Sequence, residues 1–243
     1  MKKNEKFETL TKMVGMTGLQ ISEVVAYWQE TGQLKTTELA EKTAAPEQSK
    51  DLSGITILPS PKIVTPKVIE AGMFMYADGL IYPEIVEGNR ITSVVGYVGK
   101  TEGLSVCLRE GQLPWSSDLL DVHVPNTSGK EATERITKSA SRKKKKAEAA
   151  QYCLKYTADG VKAGEAFLAL ENELELVSQN RELVNTALHR LHAVRMDKKY
   201  WSSSVHFIDG RITAVGQNFF DGSGYIDYKY REYYVRPFLA FKL

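Results

Sequence analysis

A chain of 243 residues, 42% hydrophobic and 26% charged, can bury a sizeable core without disulfide staples and has an ordinary globular composition. Collagen-like, all-coiled-coil and wholly disordered organisations are excluded. The 32 Lys and Arg against 30 Asp and Glu leave a net +2, without the basic excess of a nucleic-acid coat.

Two cysteines, Cys107 and Cys153, cannot build a disulfide framework or a four-thiolate zinc site. They read either as one bridge or as two buried thiols. The basic start Met1–Lys6 is not followed by the apolar segment of a secretory signal, and no apolar run is long enough to span a membrane. The expectation is a cytoplasmic protein as written, with a non-Sec export route or a phage particle as the alternatives.

Residues 1–50 read as a small helical segment. Phe7, Leu10, Met13 and Val14 share one helix face, and Ile21, Val24, Val25 and Trp28 share a second. Thr37 to Thr43 is a short third helix. A DNA-reading helix-turn-helix is disfavoured, because Glu30, Glu38, Glu41 and Glu47 would repel phosphate. Residues 51–67 read as a linker: Pro59, Pro61 and Pro66 each remove a backbone donor. The third unit, 68–243, is the main domain.

That domain opens with a hairpin, Met73–Tyr76 and Leu80–Tyr82, turned by Asp78-Gly79. Strands over Arg90–Val98 and Leu104–Leu108 follow, rich in Val and Ile. Ser128 and Glu131 have capping-box spacing, so a helix starts there and runs to about Tyr156, with a break near Ser139–Ser141. The basic run Arg142–Lys146 inside it reads as a solvated face, since no aromatic residue interleaves to stack on a base. A second helix carries the stripe Leu170, Leu174, Val177, Val184, Leu188 and Leu191, interrupted only by Arg181.

After residue 200, turns at Asp209-Gly210 and Asp221–Gly224 separate short segments and predict a β-meander. Six of the chain's 12 tyrosines lie between positions 200 and 234. A plain core would favour Phe and Leu, whereas Tyr offers large area and an adaptable hydroxyl. The candidate ligand-binding residues are therefore Tyr225, Asp227, Tyr228, Tyr230 and Arg231, with Phe219 and His206 beside them. Strand alternation would place Tyr228 and Tyr230 on one face and Lys229 and Arg231 on the other.

Four patterns in this tail occur in order: Tyr200-Trp201-Ser202-Ser203, Asn218-Phe219-Phe220-Asp221-Gly222, Tyr233-Tyr234-Val235-Arg236-Pro237 and Ala240-Phe241. Upstream, Val94–Val98, Pro114-Trp115-Ser116 and Glu148–Cys153 stand in the same succession. From residue 68 onward the chain resembles the bacterial DUF1566 family, with Ser204-Val205 where that family has Thr-Glu. The resemblance implies an α+β, C-type-lectin-like fold: a mixed sheet with two long helices, its terminal strand beside an early one. The resemblance also implies the branch of that fold with the formylglycine-generating enzyme and the variable proteins of diversity-generating retroelements. Trp201 and Arg236 recur in the family pattern and are expected to be structural. Trp201 should be buried with its indole nitrogen bonded, and Arg236 should tie loop carbonyls together.

The functional expectation is a non-enzymatic ligand-binding module of receptor or adhesion type. Its partner is a protein or glycan rather than nucleic acid, and no cofactor or metal is required. One alternative is a calcium-dependent lectin using Asn218, Asp221 and Asp227. The other is an oxidoreductase of the formylglycine-generating type, which needs a cysteine pair holding copper. Cys107 and Cys153 have no surrounding motif for that.

Overall fold

The computed structural model describes residues 68–124, 127–208 and 211–243. The helices expected in the first fifty residues, the 51–67 linker and the Asp209-Gly210 turn lie outside the described residues.

The chain begins with β1 (Phe74–Tyr76) and β2 (Ile81–Tyr82), joined by the expected hairpin. Gly79 takes φ +85, and the Asp78 carboxylate accepts the Leu80 N–H at 3.0 Å. Next come β3 (Ile91–Val98), β4 (Glu102–Cys107) and β5 (Gly111–Pro114), then α1 (Gly129–Lys143) and α2 (Glu148–Lys155). These are followed by α3 (Glu171–Gln179), α4 (Arg181–Arg190), β6 (Lys199–Ile208), β7 (Arg211–Asn218), β8 (Gly224–Asp227), β9 (Glu232–Val235) and β10 (Phe238–Lys242).

The strands form two five-stranded sheets. The first has the order β10-β4-β3-β1-β2 and the second β5-β9-β6-β7-β8. All pairings are antiparallel except β6 with β9, which run parallel and meet at Tyr200 and Tyr234. The fold is therefore α+β with two sheets and four described helices. As expected, the late strand β10 lies beside the early strand β4, with Phe238 opposite Val106.

The expected meander holds only for β6, β7 and β8. β9 leaves for the far side of β6, and β10 leaves for the other sheet. Local alternation marks a strand but carries no information about which neighbour it will find.

Two ribbons cross between the sheets side by side. β4 leads into β5, and β9 leads into β10, while β4 pairs with β10 and β5 pairs with β9. Arg236 sits at this double bend, 1% exposed. It donates to the carbonyls of Cys107 (3.1 Å), Leu108 (2.9 Å) and Val194 (2.7 Å), and to Glu110 Oε2 (2.7 Å). The expected carbonyl-tying role is what the geometry shows. Glu110, 8% exposed at its side chain, also accepts from Lys198 and from the Tyr200 hydroxyl, each at 2.7 Å. One carboxylate thus gathers three donors from two segments, the start of β6 and the β9–β10 link.

Alternation along the second sheet divides the core. Tyr200 and Phe219 point into a cluster with Phe74, Val94, Val106 and Phe238 of the first sheet and Leu174, Val177, Val184 and Leu188 of α3 and α4. Trp201 and Val235 point the other way, against Ile136, Ala140, Ala150 and Cys153 of α1 and α2.

The helices depart from expectation at their breaks. Ser128 is extended and accepts the Glu131 N–H at 3.2 Å, but the Glu131 carboxylate bonds the Thr127 hydroxyl, so only half of a capping box forms. α1 stops at Lys143 rather than near Ser139–Ser141. Lys144 takes a left-handed φ of 51, and the Lys145 N–H bonds back to the Ala140 carbonyl at 2.9 Å. The basic run turns this corner and fastens it. Lys143 and Lys145 reach the carbonyls of Asp121 and Leu119, and the Lys146 N–H bonds the Asp118 carboxylate at 2.6 Å. The long stripe of 170–191 is two helices, broken at Asn180 beside the interrupting Arg181. The Asn180 side chain donates to the carbonyls of Gly96 and Leu176, each at 3.2 Å.

Candidate functional site

The tyrosine-rich segment between β8 and β9 is a connection, not a strand. β6 and β7 lie between its two ends. Residues 228–231 turn, with the Arg231 N–H on the Tyr228 carbonyl at 3.0 Å. Tyr228 and Tyr230 still share one side: their rings stack with centroids 5.5 Å apart and planes 8° from parallel. They are 37% and 49% exposed.

Lys229 points inward and is 1% exposed. Its Nζ donates to the Leu120 carbonyl at 2.7 Å and sits 4.1 Å from the centre of the Trp115 ring. Its own carbonyl accepts the Ser116 N–H at 3.0 Å. Burial pulls its pKa down to about 7, against the opposing pull of Asp121. Trp115 in turn donates to the Ser202 carbonyl at 2.9 Å. The exposed ring pair is therefore held from beneath by a buried peg that reaches β6. A lone Lys between two tyrosines was the signal in the sequence, but strand alternation grouped it with Arg231 on the face opposite the tyrosines. The turn corrects that pairing. Arg231 is exposed, its guanidinium 5.7 Å from the Tyr230 ring centre.

The other candidates divide. Asp227 fastens the start of the connection: one oxygen accepts the Tyr228 N–H at 2.7 Å and the other the Tyr233 hydroxyl at 2.6 Å. That bond, with burial, raises the Tyr233 pKa. Tyr225 is half-buried. Its ring crosses Gly216 on β7 to reach Trp201 (5.7 Å) and Tyr233 (5.0 Å). A Cβ at Gly216 would lie 2.4 Å from both the Tyr225 ring and the Tyr200 carbonyl, so only glycine fits. His206 is exposed on β6 opposite Thr213, one register step past Val205, whose row runs through Ala214 to Asp227. Phe219 is a correction: it is 1% exposed and packs edge-on against Tyr200 at 5.4 Å, so it belongs to the core. Trp201 is 1% exposed as expected, but its Nε1 meets no acceptor among the described residues. The rings of Tyr225 and Tyr233 close over it.

The residues of the calcium alternative are occupied by turn geometry. Asn218 Oδ1 accepts the Phe220 N–H, and Asp221 accepts both the backbone and the hydroxyl of Ser223. Asp227 is engaged as above. Among the described residues no three or more His, Cys, Asp and Glu gather as metal ligands. Cys107 and Cys153 are both buried free thiols, which decides between the two readings of the pair. Burial pushes the Cys107 thiol up to about 12 and raises Cys153 as well, so both stay protonated.

No family model matches the chain, and no curated protein matches it. Among solved structures, a fimbrial protein from Bacteroides ovatus resembles it with a TM-score of 0.54 at 17% identity. The match covers 71% of this chain and 49% of that one, so the chain spans about half the length of its structural relative. At that identity the likeness concerns the fold alone. Among the described residues no helix is long and apolar enough to cross a membrane.

Proposed function

We propose that residues 68–243 form a non-enzymatic binding module of receptor or adhesion type, with a protein or glycan as ligand. The observation that carries this is the stacked, exposed pair Tyr228 and Tyr230, held on a connection pegged by buried Lys229. Large apolar rings left in solvent on a rigid support are the usual anchors of recognition surfaces. Arg231, its guanidinium 5.7 Å from the Tyr230 ring centre, supplies a polar group beside them. The fimbrial name of the structural relative is in keeping with an adhesion role.

The C-type-lectin-like and DUF1566-like reading is part of this proposal. It is supported by the order of the tail motifs and by β10 lying beside β4. On that reading, the connection between β8 and β9 is where relatives of the variable-protein branch would change side chains to change ligand.

The test is the double substitution Tyr228→Ser with Tyr230→Ser, probed on immobilised oligosaccharides and purified glycoproteins. Both rings are substantially exposed, so the melting temperature should stay within about 2–3 °C of the parent. Binding signals of the parent should disappear. Retained signals, or a much larger fall in melting temperature, would move the two residues from site to scaffold.

A further inference from the structure

A cleft of about 680 Å³ opens at the double bend between the sheets, where the ends of α2 and α4 approach the β4–β5 link. Its volume lies within the usual range for small-molecule sites. Its apolar lining comes from Leu108, Tyr152, Leu191 and Ala193. The Tyr152 ring is seated on Gly111, where an added Cβ would lie 3.1 Å from it.

The charges around the cleft are unbalanced. Its single lining carboxylate, Glu110, is already taken by Arg236, Lys198 and the Tyr200 hydroxyl. Arg109, Lys155 and His192 also line it, and none of them has a carboxylate oxygen within ion-pair distance among the described residues. Arg109 is held in place by the Thr157 carbonyl and the Tyr156 ring, 5.1 Å from its guanidinium. Neither of these neutralises it.

Cations near helix C-termini often answer the helix dipole. Here five of the terminal carbonyls have backbone partners. Those of Cys153 and Leu154 accept the N–H groups of Tyr156 and Gly164. Those of Ala187, Leu188 and His189 accept the N–H groups of Leu191, Ala193 and His192. The Arg109 and Lys155 side chains are exposed at the cleft, where an anion can reach them.

We propose that this cleft binds an amphipathic organic anion, its apolar body on the Leu108–Tyr152–Leu191 floor and its acidic group between Arg109 and Lys155. This site is built from elements other than the β8–β9 connection and is independent of the binding surface proposed there.

The probe pair is anilinonaphthalene sulfonate and its uncharged analogue N-phenylnaphthylamine, titrated by fluorescence at neutral pH into the full chain. The sulfonate should saturate a single site and bind at least about tenfold tighter than the neutral analogue. Lys155→Glu should weaken it by at least about tenfold, and Lys155→Arg should restore it. Lys100→Glu, an exposed charge on the β3–β4 turn, should leave it unchanged, as should the paired Tyr228 and Tyr230 substitution. Thermal melts confirm that each variant is folded. Unsaturable sulfonate binding, equal affinity for both probes, or equal effects of Lys155→Glu and Lys100→Glu would overturn the proposal.

Discussion

Lys229 carries an unusual burden for a single residue. A buried amine without a carboxylate partner prefers its neutral form, and its pKa falls to about 7. In the unfolded chain it returns to its ordinary value near 10.4, so between about pH 7 and 10 the unfolded state holds the extra proton. Stability from this group must therefore rise with pH across that window. Below about pH 7 the lysine is charged in both states and the contribution is flat. Urea titrations of the parent and Lys229→Met at pH 7 and pH 9.5 check this. The parent should gain on the order of 2–3 kcal/mol relative to the variant over that interval. At pH 7 the variant should lose no more than about 1–3 kcal/mol, because the Leu120 carbonyl is left without its donor while the desolvation of the amine is relieved. Parallel pH dependences in the two proteins would mean that the amine is solvated in the fold.

At the scale of elements, the paired ribbons β4–β5 and β9–β10 change sheets together, and Arg236 with Glu110 holds the place where they do so. Arg236→Ala would leave Glu110 buried with a partner missing and strip donors from three carbonyls. The expected loss is about 3–5 kcal/mol in urea denaturation. Arg236→Lys should recover little, since one ammonium cannot reach several carbonyls and a carboxylate at once. A variant with the parent's midpoint would show that the bend holds itself.

The sequence made some elements legible and hid others, for separable reasons. The Asp78-Gly79 hairpin, the strand at Arg90–Val98 and the start of α1 at Ser128 rest on short-range chemistry, and each formed where that chemistry placed it. The break at Asn180 was hidden because the apolar stripe continues in phase on both sides of it. What ends α3 is a side-chain bond to Gly96, far away in sequence. Phe219 looked like a site residue because it sits beside a turn. Its burial against Tyr200 comes from a neighbouring strand. Of the site, the tyrosine pair was legible as composition, and so was its shared side. The Lys229 peg was not, because its partners Leu120 and Trp115 lie more than 100 residues upstream. The cleft at the double bend was likewise invisible, since three separate segments must meet to form it.

For the whole molecule, the seating of β10 ties the two sheets into one folding unit. β10 supplies an edge of the first sheet and follows directly from β9 of the second, and the Phe167–Phe238 bridge adds the stretch before α3 to it. Deleting residues 236–243 should therefore do more than fray one strand. It removes Arg236 and the partner of β4 together, and amide exchange by mass spectrometry should show protection lost in both sheets. Loss confined to β4 would show that the sheets are separable.

The same seating has a consequence during synthesis. Domains usually fold as the ribosome releases them, beginning with what emerges first. Here β1 to β4 leave the exit tunnel early, yet the outer neighbour of β4 is encoded more than 130 codons later, at Phe238–Lys242. Until then the edge of β4 is an unpaired template exposed to other nascent chains, a condition that favours misassembly. The cell therefore holds a half-built sheet for most of the domain's translation, and a holdase chaperone that covers β4 would be of most use to it then.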